Sequence, residues 1–270
     1  MKKGILLTAA ILMVVSSLAT AQEVEPAELK ATLDVSYVSR FIWRGFDAYA
    51  NDHSAIQPSV NLDLFGTGFG ANVWMSRANG GGFENAEWLD YTLYYNNTLC
   101  PDQDYATYYQ VGYIYYSYPD EPGKGSTIGT GAAQEIFAAF AWPKICPLGI
   151  VPSYTVACYW PSESGATNQD NGGWAHILGL GYDFTIPGLM ANTPEQTIHL
   201  SAEAVYNDAV GPAGSTVDHD WSHAVFGAST DFPITENLTF VPAVFYQSSW
   251  DDSVNTSDEY WTKLSMVYKF

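Results

Sequence analysis

The stretch Asp258-Glu-Tyr-Trp-Thr-Lys-Leu-Ser-Met-Val-Tyr-Lys-Phe270 decides how this chain is read. Tyr260, Thr262, Leu264, Met266, Tyr268 and Phe270 share one parity, while Glu259, Trp261, Lys263, Ser265, Val267 and Lys269 share the other. Strict alternation predicts a strand with one apolar and one polar face. The stretch closes on an aromatic side chain, without a polar tail. A soluble β-sandwich and a membrane barrel can both end this way, so the rest of the chain must separate them.

The opposite end reads as an export signal. Lys2 and Lys3 precede an apolar run from Ile5 to Val15, and Ala19-Thr20-Ala21 supplies small residues before Gln22. A charged start, short apolar middle and A-x-A ending predict a secretory signal peptide over 1–21, cleaved after Ala21. The run is too short for a membrane-spanning helix, and no later stretch approaches the roughly 20 apolar residues one needs. A short periplasmic segment, 22–30, then leads into 31–270.

Composition narrows the partners. The chain holds 29 acidic residues against 10 Lys plus Arg, and losing Lys2 and Lys3 with the leader takes the formal charge from −19 to about −21. Nucleic-acid binding needs clustered Lys and Arg on phosphates, so no nucleic-acid partner is expected. Abundant aromatics and few charges argue against disorder. Three cysteines, Cys100, Cys146 and Cys158, are too few for a disulfide scaffold.

Parity divides the remainder into twelve alternating segments, near 31–43, 54–65, 68–77, 86–97, 104–116, 133–142, 149–160, 174–184, 196–207, 221–231, 238–248 and 259–270. In the fourth, Leu89, Tyr91, Leu93 and Tyr95 oppose Trp88, Asp90, Thr92, Tyr94 and Asn96. Most segments reach the 9–11 residues of a transmembrane strand. With a periplasmic N-terminus, the odd connections are extracellular; they are mostly long and rich in Gly, Ser, Asn and Asp. The even ones are mostly short, the 185–195 stretch excepted. Long outside and short inside is the outer-membrane pattern. Trp43, Trp74, Trp88, Trp160, Trp174, Trp221, Trp250 and Trp261 gather near the extracellular ends, and Tyr95, Tyr182, Phe184, Phe232 and Phe270 near the periplasmic rim, predicting two aromatic girdles. The expected fold is therefore all-β: a transmembrane up-and-down antiparallel β-barrel of about 12 strands. Pro58, Pro152 and Pro242 sit awkwardly within it, since proline removes a ladder donor and a closed barrel has no free edge. His176 and Cys158 fall on the lipid-facing parity.

Two resemblances bear on the reading. The terminal strand resembles those of bacterial outer-membrane barrels, which commonly finish on Phe, and implies handling by the barrel-assembly machinery through Phe270. The stretch Tyr37-Val-Ser-Arg-Phe-Ile-Trp43-Arg44-Gly45-Phe46, followed by Ala55-Ile56-Gln57-Pro58 and the Gly-rich 68–74 ending on Trp74, resembles the TorF-type porin family. Phe41 replaces the family's usual second Tyr, and Pro58 follows Gln57 instead of preceding it. The similarity covers about residues 33–76. It implies an exported outer-membrane barrel and pore, with no catalytic residues.

The charged candidates lie on the inward parity. Arg40 and Arg44 share it with Asp34, and Asp90, Glu135, Glu203 and Glu259 join them with Lys263. Closure of the twelfth segment on the first brings Glu259 and Lys263 toward Arg40 and Arg44. Two uses are open: a constriction that filters solutes by charge, or acid-paired arginines that brace or plug a narrow lumen. The outer loops lean acidic, a mouth that concentrates cations or simply a solvated surface. Asp218 with Asp220, or Asp251 with Asp252, could bridge calcium, but no EF-hand spacing occurs, and no metal or cofactor is expected. Cys100 and Cys146 both precede proline at the periplasmic rim, where a Cys100–Cys146 disulfide is one option. Catalysis has little support: His53-Ser54 and Ser222-His223 are adjacent pairs whose side chains should point to opposite faces.

The expected function is a porin-like outer-membrane channel for passive diffusion of small polar or cationic solutes, in contact with outer-membrane lipid. The alternative is a plugged, non-channel barrel with a structural or partner-binding role; a lipid-active enzyme is more remote.

Overall fold

A computed structural model describes residues 28–49, 53–80, 87–119, 132–162, 172–189, 195–212 and 215–270. The expected signal peptide lies outside the described residues, as do most of segment 22–30 and the loop acids Asp52, Glu84, Asp120, Glu121, Glu163 and Asp170. Among the described residues no helix is long and apolar enough to cross a membrane.

The strands are β1 (Lys30–Val38), β2 (Ile42–Trp43), β3 (Phe46–Asp47), β4 (Ala55–Asp63), β5 (Phe69–Ala78), β6 (Glu87–Leu99), β7 (Thr107–Ser117) and β8 (Ala133–Ala141). There follow β9 (Ile150–Pro161), β10 (Gly173–Pro187), β11 (Glu195–Asp208), β12 (His219–Thr230), β13 (Phe232–Pro233), β14 (Leu238–Ser249) and β15 (Glu259–Lys269). Each long strand pairs antiparallel with its chain neighbour, β1 pairs with β15, and β12 pairs with β14. The result is a closed twelve-stranded barrel, which leaves the wall no open edge. The twelve alternating segments become these twelve strands in order. Only the first is cut short: β1 stops at Val38, and residues 39–49 leave the wall carrying the β2–β3 hairpin.

Side-chain exposure follows the alternation around the wall. Val35, Val60, Val73, Leu93, Ile136, Leu178, Leu200, Phe226, Val244 and Leu264 are exposed on the outside. Their neighbours Ser36, Ser59, Glu135, Thr155, Glu203, Ser229, Gln247 and Ser265 are buried within. A soluble sandwich would place the apolar set in the dry middle instead. An apolar exterior suits a hydrocarbon solvent, in which closure leaves no strand edge bare.

The prolines sit where ladders stop. At Pro58 the β4–β5 pairing lapses between Ile56↔Arg77 and Ser59↔Trp74, and Gln57 Nε2 donates to Ser76 Oγ at 3.3 Å across the gap. Pro152 is next to the last β8–β9 pair, Ala141↔Ser153. Pro242 falls in a gap of the wall between β12 and β14.

Among the described residues, Cys100, Cys146 and Cys158 are free thiols, so the Cys100–Cys146 disulfide is not formed. Cys100 follows β6 and Cys146 lies between β8 and β9, which puts β7 and β8 between them. Strands spaced about 4.8 Å apart hold such positions roughly 10 Å or more from each other, beyond the reach of a disulfide.

Candidate functional site: the occluded mouth

The site is built by residues 39–49. Trp43 and Phe46 pair across a two-residue turn at Arg44 and Gly45, with φ of 49° and 91°. Two successive positive φ values make the primed turn that hairpins favour, and the second suits glycine. The hairpin folds inward. Phe41, Trp43, Phe46 and Tyr49 are buried in one apolar cluster with Ile114, Tyr116, Phe137 and Tyr159 of the wall. Trp43 lies 5.4 Å from Trp88 and 5.6 Å from Tyr159, centroid to centroid. Four aromatic side chains from one loop, each burying a large area, fasten it to the lumen.

The turn carries a cation into this apolar setting. Arg44 Nη2 donates to Glu135 Oε2 of β8, and both side chains are buried. Tyr116 Oη donates to the same carboxylate oxygen at 3.0 Å, and the guanidinium lies 5.3 Å from the Trp43 ring centre. Asp90 stands nearby on β6 and accepts from Trp88 Nε1 at 2.6 Å. Gly45 O accepts from Gln247 Nε2 of β14 at 2.9 Å and from Asn255 Nδ2 at 3.1 Å. A Cβ at Gly45 would stand 2.6 Å from His223 Nδ1 and 2.7 Å from Val254. The hairpin tip is thus held by β8, β12, β14 and the last loop together.

The predicted charges separate into three places. Arg40 pairs with Glu259 at the end of the β1–β15 seam nearest the hairpin, and Lys263 Nζ lies 3.9 Å from Asp34 Oδ2 further along it. Arg44, expected beside Glu259 and Lys263, reaches Glu135 instead, because the hairpin carries it off the wall. The buried Glu203 side chain on β11 has no ion pair or hydrogen bond among the described residues. Parity missed Tyr116, Tyr159, Gln247 and Asn255, since it tells which face a residue shares and not what a folded-in loop will touch. The adjacent Arg44-Gly45 pair was the one local signal of a turn.

Two further expectations change. Of the tryptophans assigned to the extracellular girdle, Trp43, Trp74, Trp88 and Trp261 lie inside, packed on the hairpin or on Phe245. Trp174, Trp221 and Trp250 are exposed. Ser222 and His223 do meet, at 2.8 Å from Oγ to Nδ1, because a bulge opposite Val205 and Tyr206 makes Ser222 the extra residue. At 0% and 2% exposure beneath Gly45, the pair has no access to substrate. Among the described residues no group of three or more His, Cys, Asp or Glu is placed to hold a metal.

The last loop has its own tie. Tyr246 Oη donates to Asp258 Oδ2 at 2.6 Å and Ser249 N to its Oδ1 at 2.9 Å. These two bonds hold the Asp258 carboxyl below the usual carboxylate range. The tie is therefore present above that range and is lost as the pH falls through the lowered value.

No family model and no curated protein matches this sequence. Solved structures do match in shape. The NanC porin is similar over 88% of this chain and 100% of its own, with a TM-score of 0.50 and 11% identity. An outer membrane channel from Pseudomonas putida F1 covers 93% of this chain and 100% of its own, with a TM-score of 0.44 and 10% identity. At such identity the NanC likeness is one of fold, and what this chain shares with that porin is a closed transmembrane-type β-barrel.

Proposed function

We propose that this chain is an exported outer-membrane porin-like channel of the TorF type, passing small polar or cationic solutes and closed at its mouth by residues 39–49. The observation that carries the reading is the inside-out wall: apolar side chains outward, with Ser36, Gln57, Ser59, Gln110, Thr155, Ser229 and Ser265 inward. A polar interior in a closed barrel is what a solute path needs, and the acid excess favours cations over anions. The leader over 1–21 supplies export, and Phe270, exposed beside Tyr268, is the handle for the barrel-assembly machinery. The buried Ser222–His223 pair gives a lipid-active enzyme no support.

The test is single-channel recording in planar bilayers. The native barrel gives brief, small, cation-selective openings. Gly45→Ala places a methyl on His223 and Val254 at a strained φ, which costs the closed hairpin about 1–3 kcal/mol. The closed-to-open ratio then falls by roughly five- to 150-fold, and openings lengthen. A second reading, the plugged barrel with a structural or partner-binding role, is favoured by the aromatic cluster around Trp43. Silence from both native and Gly45→Ala barrels, with folding confirmed by gel mobility, decides for it.

A further inference from the structure

Pro242, the residue a sealed wall has least reason to hold, marks a second site. It faces outward on β14, opposite Leu264 of β15. On its other flank the β12–β14 ladder stops at Ser229↔Ala243, and pairing resumes only where β13 meets β14 at Phe232↔Phe240. With no N–H at Pro242, the wall lacks its hydrogen bonds over this interval. A trough of about 260 Å³ opens there.

It is shallow and open, and Ala228, Pro242, Ile198, Val244 and Leu264 line it. Ser229 and Ala243, which belong to the inward set, also reach it through the gap. The lining has no ionisable group, and the Thr230 hydroxyl at its edge already donates to Thr197 O at 2.7 Å. Exposed Leu200, Phe226 and Val244 beside it place the trough in the apolar belt. It lies between mid-height and the rim that carries Phe232 and Phe270.

We propose that this trough is a binding site for one acyl chain of a membrane phospholipid. A methylene chain needs no hydrogen-bond partner and fills a narrow apolar slot, whereas a headgroup or charged solute finds no counterpart here. Small side chains and a missing N–H leave room along the wall for such a chain.

Photolabelling tests it. The full barrel is placed in nanodiscs containing phosphatidylcholine with a diazirine on one acyl chain, and labelled residues are mapped by mass spectrometry. Labelling at 226–230 and 242–244 should exceed that around Leu93 on β6 several-fold. Ala228→Phe, which fills the trough, should abolish the excess while leaving the label at Leu93. Thr262→Trp, which covers the trough from its rim, provides the same test where Ala228→Phe does not fold. Uniform labelling of the native belt overturns the proposal, as does an excess that survives in the folded filled variants. Crosslinks between two barrel copies at these residues, in place of lipid adducts, overturn it as well.

Discussion

Glu135→Ala lowers the stability of the barrel by about 3–5 kcal/mol, the usual cost of stripping one partner from a buried ion pair. The guanidinium of Arg44 is then left among Trp43, Trp88, Tyr116 and Tyr159 without its carboxylate. Urea unfolding from lipid vesicles, followed by tryptophan fluorescence, reads the loss as a shift in midpoint at constant slope. The double variant Arg44→Met, Glu135→Leu recovers most of it, because an apolar pair of similar volume needs no charge compensation. A cycle over the four proteins isolates the coupling. A loss below about 1 kcal/mol for Glu135→Ala would mean that the pair behaves as a solvated surface contact, and the hairpin could not then be a firm closure. The same variant should lengthen channel openings, since an uncompensated cation draws the turn toward solvent.

The second large effect concerns the wall. Leu93 is 63% exposed at the centre of β6 and meets hydrocarbon if the barrel spans a bilayer. Leu93→Arg costs about 2–4 kcal/mol at that depth, and Leu99→Arg at the strand end about 0–1 kcal/mol. In a water-soluble protein both exposed positions would tolerate arginine within about 0.5 kcal/mol. Measuring the two side by side in the same vesicles separates the solvents directly. Equal, small costs at both positions would remove the membrane from this account.

Strand order and facing were legible because a period of two is a local property: Tyr260 to Phe270 declare a face without knowledge of their neighbours. Closure followed from twelve such strands joined by alternating long and short loops. The hairpin at 42–47 was not legible, because its apolar residues continue the first strand's pattern and only the wall's interior decides that they turn inward. Arg44 was placed on the right side of the wall and against the wrong acid for the same reason. The disulfide failed on distance, which the order of the segments already put in question: the fifth and sixth lie between Cys100 and Cys146. Ser222 and His223 were kept apart by an alternation rule that a bulge suspends.

The hydrogen bonds from Gln247 and Asn255 to Gly45 join positions 202 and 210 residues apart. A closure that depends on both cannot be complete while the final hairpin is still arriving. Through assembly, then, the hairpin lacks these two ties until the last strands arrive. Loss of the closing strands would remove both ties even where the first ten strands are in place.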